Sequence, residues 1–348
     1  MKRKEFLAAA VATGAAIKAM AKLPAIKQNS QWFTDDGNAV FHIPPYLKKG
    51  DTIGITCPAG FIKTEDIVPA VKEMESWGFT IKTGDTVGKK DFTLGGTDEE
   101  RLKDLQQMLD DKSVKAIMCA RGGYGSIRII DKIDFTKFKA HPKWIIGFSD
   151  TTLLHSHIIK NFSIASIHSK MCNSFPDNWE NAEPIQQESI LSIKQALMGE
   201  KMNYSVVPNE SNKPGIATGI LTGGNLKTLE TLAGSRSDIN TIGRILFVED
   251  TGEYLYSIDR MFWNLKRSGK LNGLKGLVIG GFKVKPSEDP TDEFGKNVQE
   301  IVLEKVKEYH FPVCFDFPVG HQKNNFALKC GVIHRLEVKK DVCNLREV

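Results

Sequence analysis

The strongest constraint in this sequence is a rhythm that begins near Gly50. Short apolar runs of strand length alternate with amphipathic runs of helix length: "TIGITCPA" (52–59), "EDIVPAVKEMESWGF" (65–79), "TIKTGD" (80–85), "DEERLKDLQQMLDD" (98–111) and "VKAIMC" (114–119). "IRIIDKID" then leads to "KWIIGFSD" (143–150) and the helical "TTLLHSHIIKNF" (151–162). Strands separated by helical patterns imply βαβ units and a mostly parallel sheet, whose ligands meet the carboxyl ends of the strands. From about Ser174 to Pro214 the chain becomes rich in Asn, Pro, Glu and Ser, which reads as a linker or lid around one helix. A second unit follows, with shorter, Gly-rich strands such as "GILTGGN", "RILFVED" and "LVIGGF" mixed with helices. The expected fold class is therefore α/β. A parallel-sheet domain over 47–180 is joined by a linker or lid over 181–214 to a smaller β/α domain over 215–348.

Composition narrows the function classes. A chain of 348 residues with 41% hydrophobic and 26% charged content supports one large or two medium cores. The net charge of +5 is concentrated at the start, where Lys2, Arg3, Lys4 and Lys18 against Glu5 give +3, so the remainder carries only +2. No polybasic block remains, which argues against a nucleic-acid or anionic-membrane partner. The opening "MKRKEFLAAAVATGAAIKAMA" has a basic start, an apolar stretch and an Ala19-Met20-Ala21 end, the layout of a secretory leader. "RKEFL" is similar to a twin-arginine export signal with Lys4 in place of the second arginine. The expectation is a signal peptide over 1–21, a polar arm over 22–46 and an exported, periplasmic protein without stable membrane insertion; a cytoplasmic protein with an amphipathic first helix is the alternative. Six scattered cysteines, with no C-x-x-C pair, argue against zinc, and His155 and His157 point in different directions on their helix. No metal and no cofactor is expected. In an exported chain, one bridge among Cys314, Cys330 and Cys343 is an open option.

Chemistry concentrates at strand ends. In "KWIIGFSDTTLLH", Ser149 stands between an apolar run and a helix, where a tight turn would hold its hydroxyl outward and the helix N-terminus would supply N–H donors. The same Ser-Asp pair is also an ordinary helix cap, and Thr151 occupies the position where a G-x-S-x-G elbow has glycine. "RILFVEDTGE" ends in Glu249 and Asp250, and "FDFPVGH" ends in His321. A serine, an acid and a histidine, each after a strand, fit a site in which histidine takes the serine proton and the acid orients the histidine. The glycine-rich "ARGGYGS" (120–126) lacks the spacing of a phosphate loop but would let backbone approach a substrate closely.

Taken together, "GDTIGITCPAG", "ARGGYGSIRIIDKIDF", "PKWIIGFSDTTLLH", "GILTGGNLKTLETLAGS", "ILFVEDTGEYLYSIDRMFWNL" and "FPVCFDFPVGH" resemble the serine LD-carboxypeptidases, which include murein tetrapeptide carboxypeptidases and microcin-C immunity peptidases. The resemblance implies a class I glutamine amidotransferase-like N-terminal domain, a swivelling C-terminal β/α domain and a homodimer. It also implies Ser149 as nucleophile, Glu249 as acid, His321 as base, and the amides of Gly123 and Asp150 as oxyanion hole. The implied reaction removes the C-terminal D-alanine of a peptidoglycan tetrapeptide in cell-wall turnover. Such a substrate carries a free carboxylate, for which Arg121, Lys323 and Arg260 are the cationic candidates. Two other readings stay open: a microcin-type peptidase stacking a nucleobase on Trp179, and a non-catalytic binder of cell-wall peptides.

Overall fold

A computed structural model of the chain describes residues 31–34, 40–289, 291 and 293–348. The expected leader (1–21) and most of the expected arm (22–46) lie outside the described residues. What is described of the arm is a hairpin of β1 (Gln31–Thr34) and β2 (Val40–Ile43), with Phe41 and Ile43 buried.

The first sheet contains β3 (Thr52–Thr56), β4 (Thr80–Thr83), β5 (Val114–Cys119), β6 (Trp144–Gly147) and β7 (Ser166–His168), all parallel, in the order β7-β6-β5-β3-β4. Period-two alternation sends Ile53, Ile55, Ala116, Met118 and Ile146 to one face and Ile117 and Ile145 to the other. The first face is covered by α1 (Val68–Ser76) and by α5 (Pro184–Leu197), the second by α2 (Asp98–Asp110), the short α3 (Thr136–Ala140) and α4 (Thr152–Phe162). α2 starts at a reciprocal cap, in which Thr97 Oγ1 accepts from the Glu100 amide at 3.2 Å and Glu100 Oε2 accepts from the Thr97 amide at 3.0 Å. Such a box contributes about 1 kcal/mol. α5 falls inside the expected linker or lid, yet Ile190, Ile193, Ala196 and Leu197 are wholly buried in the first core. The segment is polar in composition because its outer face and flanks are solvated; its apolar residues recur at helical spacing and bury one stripe.

The second sheet runs β12-β11-β10-β9-β14-β15-β8. Here β8 is Asn203–Val206, β9 Gly215–Asn225, β10 Arg244–Glu253, β11 Gly276–Val284, β12 Val313–Cys314, β14 Ile333–Val338 and β15 Cys343–Glu347. Strands β9 to β12 are parallel, and β14, β15 and β8 add antiparallel. Its outer face packs α6 (Leu226–Thr231), α7 (Leu255–Arg267) and α8 (Val298–Val306). Its inner face does something the sequence did not announce: Ile220, Leu221, Ile245, Phe247 and Val278 share one apolar cluster with Ile117 of the first sheet and Leu153, Leu154 and Ile158 of α4. A short strand β13 (Leu328–Cys330), late in the chain, crosses back and pairs antiparallel with β7 in the first sheet.

Close backbone approach fixes the second sheet at its centre. Gly223 has φ 146°, and a Cβ there would stand 1.8 Å from the Phe247 carbonyl oxygen of the paired strand. Gly223→Ala is expected to cost about 3 kcal/mol or more, because both the backbone conformation and the β9–β10 pairing must give way. Urea unfolding checks this: the midpoint falls while the slope is kept.

Candidate active site

Ser149 lies directly after β6, and its backbone carries φ 61° in a short 3-10 turn (Ser149–Thr151) that feeds α4. A helix cap normally has extended backbone, so the cap reading does not account for this conformation. The residues at the cap positions of the turn and of α4, Phe148 and Thr151, make no side-chain cap bond either. A non-glycine residue with positive φ stores strain that its surroundings must hold.

Those surroundings are specific. Gly147 precedes at φ 154°, where a Cβ would meet Thr151 Oγ1 at 2.7 Å, so the glycine that this elbow needs sits before the serine and Thr151 fills the space it leaves. The Gly147 carbonyl is held from two sides, by His155 Nε2 at 2.8 Å and by the Ser169 amide at 3.1 Å. Burial lowers the His155 pKa to about 4, so the ring is neutral and donates to that carbonyl. The glycine turn after β5 lies against the serine: a Cβ on Gly122 would stand 3.0 Å from Ser149 Cβ and 3.2 Å from its Oγ. Two ties hold that turn. Asp150 Oδ2 accepts from the Ser126 amide at 3.0 Å, with burial raising the Asp150 pKa. Arg101, wholly buried in α2, donates to the carbonyls of Pro58 at 2.6 Å, Gly125 at 2.9 Å and Gly96 at 3.2 Å and pairs with Asp98.

The acid and the histidine come from the second sheet. β10 continues past Glu249 to Glu253, but its pairing with β11 is interrupted between Val248 and Asp250, a bulge that re-aims Glu249. Glu249 is wholly buried, and its Oε2 lies 2.6 Å from His321 Nδ1 and accepts from the His321 amide at 3.2 Å. Gly320 makes this possible: a Cβ there would collide with Glu249 at 2.5 Å. With Nδ1 donating to the carboxylate, Nε2 is left as the acceptor of the ring. The imidazole packs on Phe148, the residue before Ser149, with ring centroids 4.8 Å apart. Lys170, which follows β7, donates to the Gln322 carbonyl at 2.6 Å and so ties the histidine loop to the first sheet. Burial lowers its pKa to about 8.

Beside Ser149 opens a cavity of about 290 Å³ lined by Gly123, Tyr124, Asp150, Asn225, Lys227, Asp250 and Glu253 among others. The expected oxyanion residues Gly123 and Asp150 thus line the same cavity as Ser149. Asp250, expected only as a companion of Glu249, is occupied with holding three other residues that line the cavity. It accepts from Asn225 Nδ2 at 3.0 Å, the Lys227 amide at 2.8 Å and the Thr251 amide at 2.8 Å. The three cationic candidates separate. Arg121 is exposed at the glycine turn and donates to the Phe61 carbonyl at 2.8 Å, whereas Lys323 is paired with Glu183. Arg260 lines a different groove with Glu230 and Trp263, its guanidinium 5.4 Å from the Tyr256 ring centroid. Lys227, which the sequence reasoning passed over, lines the serine's own cavity, its Nζ paired with Glu230 Oε2 at 3.0 Å. Its signal was its place, two residues after the "TGGN" turn at the end of a parallel strand. Among the described residues, no group of three or more His, Cys, Asp or Glu side chains is placed to hold a metal, and no helix is long and apolar enough to cross a membrane.

Burial raises the Asp250 pKa from 3.8 to about 6. A carboxyl whose folded pKa lies above its unfolded one stabilises the fold most at low pH, and this contribution is lost as pH rises from about 4 to 6, about 2–3 kcal/mol. Asp250→Asn should therefore remove a downward slope of that size in the wild-type stability between pH 4 and 6, read by urea unfolding of both proteins at each pH.

Two family models match the chain: the LD-carboxypeptidase N-terminal domain over residues 53–169 and the LD-carboxypeptidase C-terminal domain over 218–336. The chain is 34% identical over 295 residues to the probable murein peptide carboxypeptidase of Bacillus subtilis (strain 168), covering 83% of this chain and 89% of the relative. It is 26% identical over 315 residues to the microcin C7 self-immunity protein MccF of Escherichia coli, covering 82% of this chain and 90% of the relative. Among solved structures, the muramoyltetrapeptide carboxypeptidase from Oxalobacter formigenes superposes with a TM-score of 0.76 at 26% identity, over 85% of this chain and 98% of that one. With both domain models in order along the chain, a parallel-sheet N-terminal domain and a second C-terminal domain, the protein belongs to the serine LD-carboxypeptidase family.

Proposed function

We propose that the protein removes the C-terminal D-alanine from murein tetrapeptides through an acyl-enzyme on Ser149. The observation that carries this reading is the hydrogen bond between buried Glu249 and His321 Nδ1, which leaves Nε2 as the acceptor of a ring packed on Phe148, the neighbour of Ser149. In this reading His321 takes the Ser149 proton as Oγ attacks the carbonyl of the diamino-acid residue. The amides of Gly123 and Asp150 receive the oxyanion, and His321 then protonates the leaving amine of D-alanine. Water, activated by the same imidazole, releases the shortened peptide. The positive φ at Ser149 serves this chemistry because it directs the side chain toward the glycine turn, against Gly122. Two further parts of the reading rest on sequence: export to the periplasm, supported by the basic and apolar N-terminus, and a homodimer, implied by the family resemblance.

Incubation with a murein tetrapeptide, followed by mass spectrometry, should show loss of one alanine residue. Ser149→Ala should lower kcat by about four orders of magnitude or more while peptide binding persists. Unchanged turnover in the variant, or an intact tetrapeptide beside a cleaved acyl-sulfamoyl nucleotide, would overturn the reading. The first result would favour a peptide binder and the second a microcin-type peptidase. The tryptophan that a nucleobase would stack on, Trp179, is partly buried against the first core.

A free terminal carboxylate needs a cation near the leaving group, and Lys227 in the serine's cavity and Arg121 at the glycine turn supply the charge in this reading. Lys227→Met or Arg121→Met should raise KM for the tetrapeptide about tenfold and leave KM for its C-terminal amide unchanged. Equal effects on both substrates would assign the two side chains a structural part only.

A further inference from the structure

The second sheet hides a chemical feature at its seam. Strands β12 and β15 are not neighbours in the sheet order, yet the segment between β8 and β9 bridges to β12 at its free edge. Residue 213 closes the gap: the Lys213 amide donates to the Val313 carbonyl and the Val313 amide to the Lys213 carbonyl, both at 3.0 Å. Next to it, Asn212 spans the seam with its side-chain amide. Its Oδ1 accepts from the Phe315 amide at 2.7 Å, and its Nδ2 lies 3.2 Å from Cys343 Sγ. Asn212 thereby holds the residue after Cys314 and the sulfur of Cys343 at the two ends of one amide.

The consequence is that Cys314 and Cys343, 29 positions apart, come to the seam in the same apolar core, with Cys314 Sγ 3.7 Å from the Phe315 carbonyl oxygen and Cys343 Sγ 3.2 Å from Asn212 Nδ2. Each thiol acts on the other: the neighbouring cysteine lowers the pKa of the Cys343 thiol and raises that of Cys314, because a second thiolate would form beside the first. The other four cysteines lack such an arrangement. Cys57, Cys119 and Cys172 lie buried in the first domain and act on one another only through space; Cys330 sits on β13, its Sγ facing the Leu328 carbonyl at 3.8 Å.

We propose that Cys314 and Cys343 form a structural disulfide when the chain folds in the presence of a disulfide oxidant. In the first step the Cys343 thiolate attacks one sulfur of the oxidant, giving a mixed disulfide and releasing one oxidant thiolate. In the second, Cys314 loses its proton and attacks Cys343 Sγ, releasing the second oxidant thiolate. The two cysteines lose two protons and two electrons, and the oxidant leaves as two thiols. Both sulfurs are buried once the seam is closed, so the exchange belongs to folding, before Asn212 and Lys213 dock. The bridge staples the strand that enters the His321 loop to the C-terminal hairpin and closes a loop of the length at which cross-links restrict the unfolded chain substantially. It is independent of the peptidase reading, since it concerns the seam and not the cleft.

The test is to refold the full chain in a glutathione redox buffer, alkylate under denaturing conditions, and digest for mass spectrometry. The expected result is a fall from six alkylatable thiols to four, with one cross-linked peptide pair containing Cys314 and Cys343. The oxidised protein should also melt about 5 °C above the reduced protein. Cys314→Ser and Cys343→Ser should each abolish the cross-linked pair. If either variant fails to fold, the wild-type peptide map still decides. Six free thiols after refolding, or a bridge that joins any other pair, would overturn the proposal.

Discussion

A hydrogen bond between a wholly buried carboxylate and a partly exposed imidazole is the constraint on which the cleft depends. Removing Glu249 from water is costly unless its carboxylate finds donors, and His321 offers two to Oε2, the ring Nδ1–H and its own backbone amide, while Oε1 stays buried without a partner among the described residues. That double contact is possible only because β10 bulges at Glu249 and because residue 320 has no side chain. The imidazole is then held in one tautomer and one plane, with Phe148 along its flank. Geometry of this kind is set by backbone, so it survives the absence of substrate.

The serine side is built with the opposite economy. Here the polar groups are mostly backbone carbonyls and amides, and the side chains that hold them are charged residues drawn out of solvent. Arg101 satisfies carbonyls of three loops at once, and Asp150 receives an amide from the glycine turn. The two halves then meet through apolar packing of α4 against β9 and β10, with the Asn225 amide donating to Thr152 Oγ1 at 3.0 Å across the contact. A Cβ on Gly224 would stand 2.4 Å from Thr152 Oγ1, which shows how closely the helix after Ser149 seats on the second sheet. Relative rotation of the two domains would break that contact.

Much of this was legible in the sequence, for identifiable reasons. Parallel strands buried on both faces are near-continuous apolar runs, so β3, β5, β6 and β10 stood out and led to Ser149 after β6 and Glu249 within β10. His321, by contrast, lies in the loop after the short β12 and not at the end of the strand expected over "FDFPV". What escaped depends on partners distant in the chain. Arg101 lies in a strongly charged helix where a solvated face is the natural reading; its burial follows from carbonyls offered by residues 58 and 125, which no local pattern reveals. The side chain of Asp150 looked like a cap because its acceptor role is to a turn 24 residues earlier. Lys170 and Lys227 carry no motif and acquire meaning only where strand ends converge. The helix in the polar segment 181–214 was visible, but its burial was masked by the composition around it.

The crossing strand β13 has a consequence for how this protein comes into being. The nucleophile sheet borrows its edge from residues 328–330, almost at the end of the chain. During synthesis, then, the first domain cannot complete itself while the second is still emerging: until that strand arrives, β7 presents an open row of amides and carbonyls. Ser149 and His321 thus reach their final surroundings together, and a chain cut short before residue 328 lacks the edge strand of the very domain it has already made.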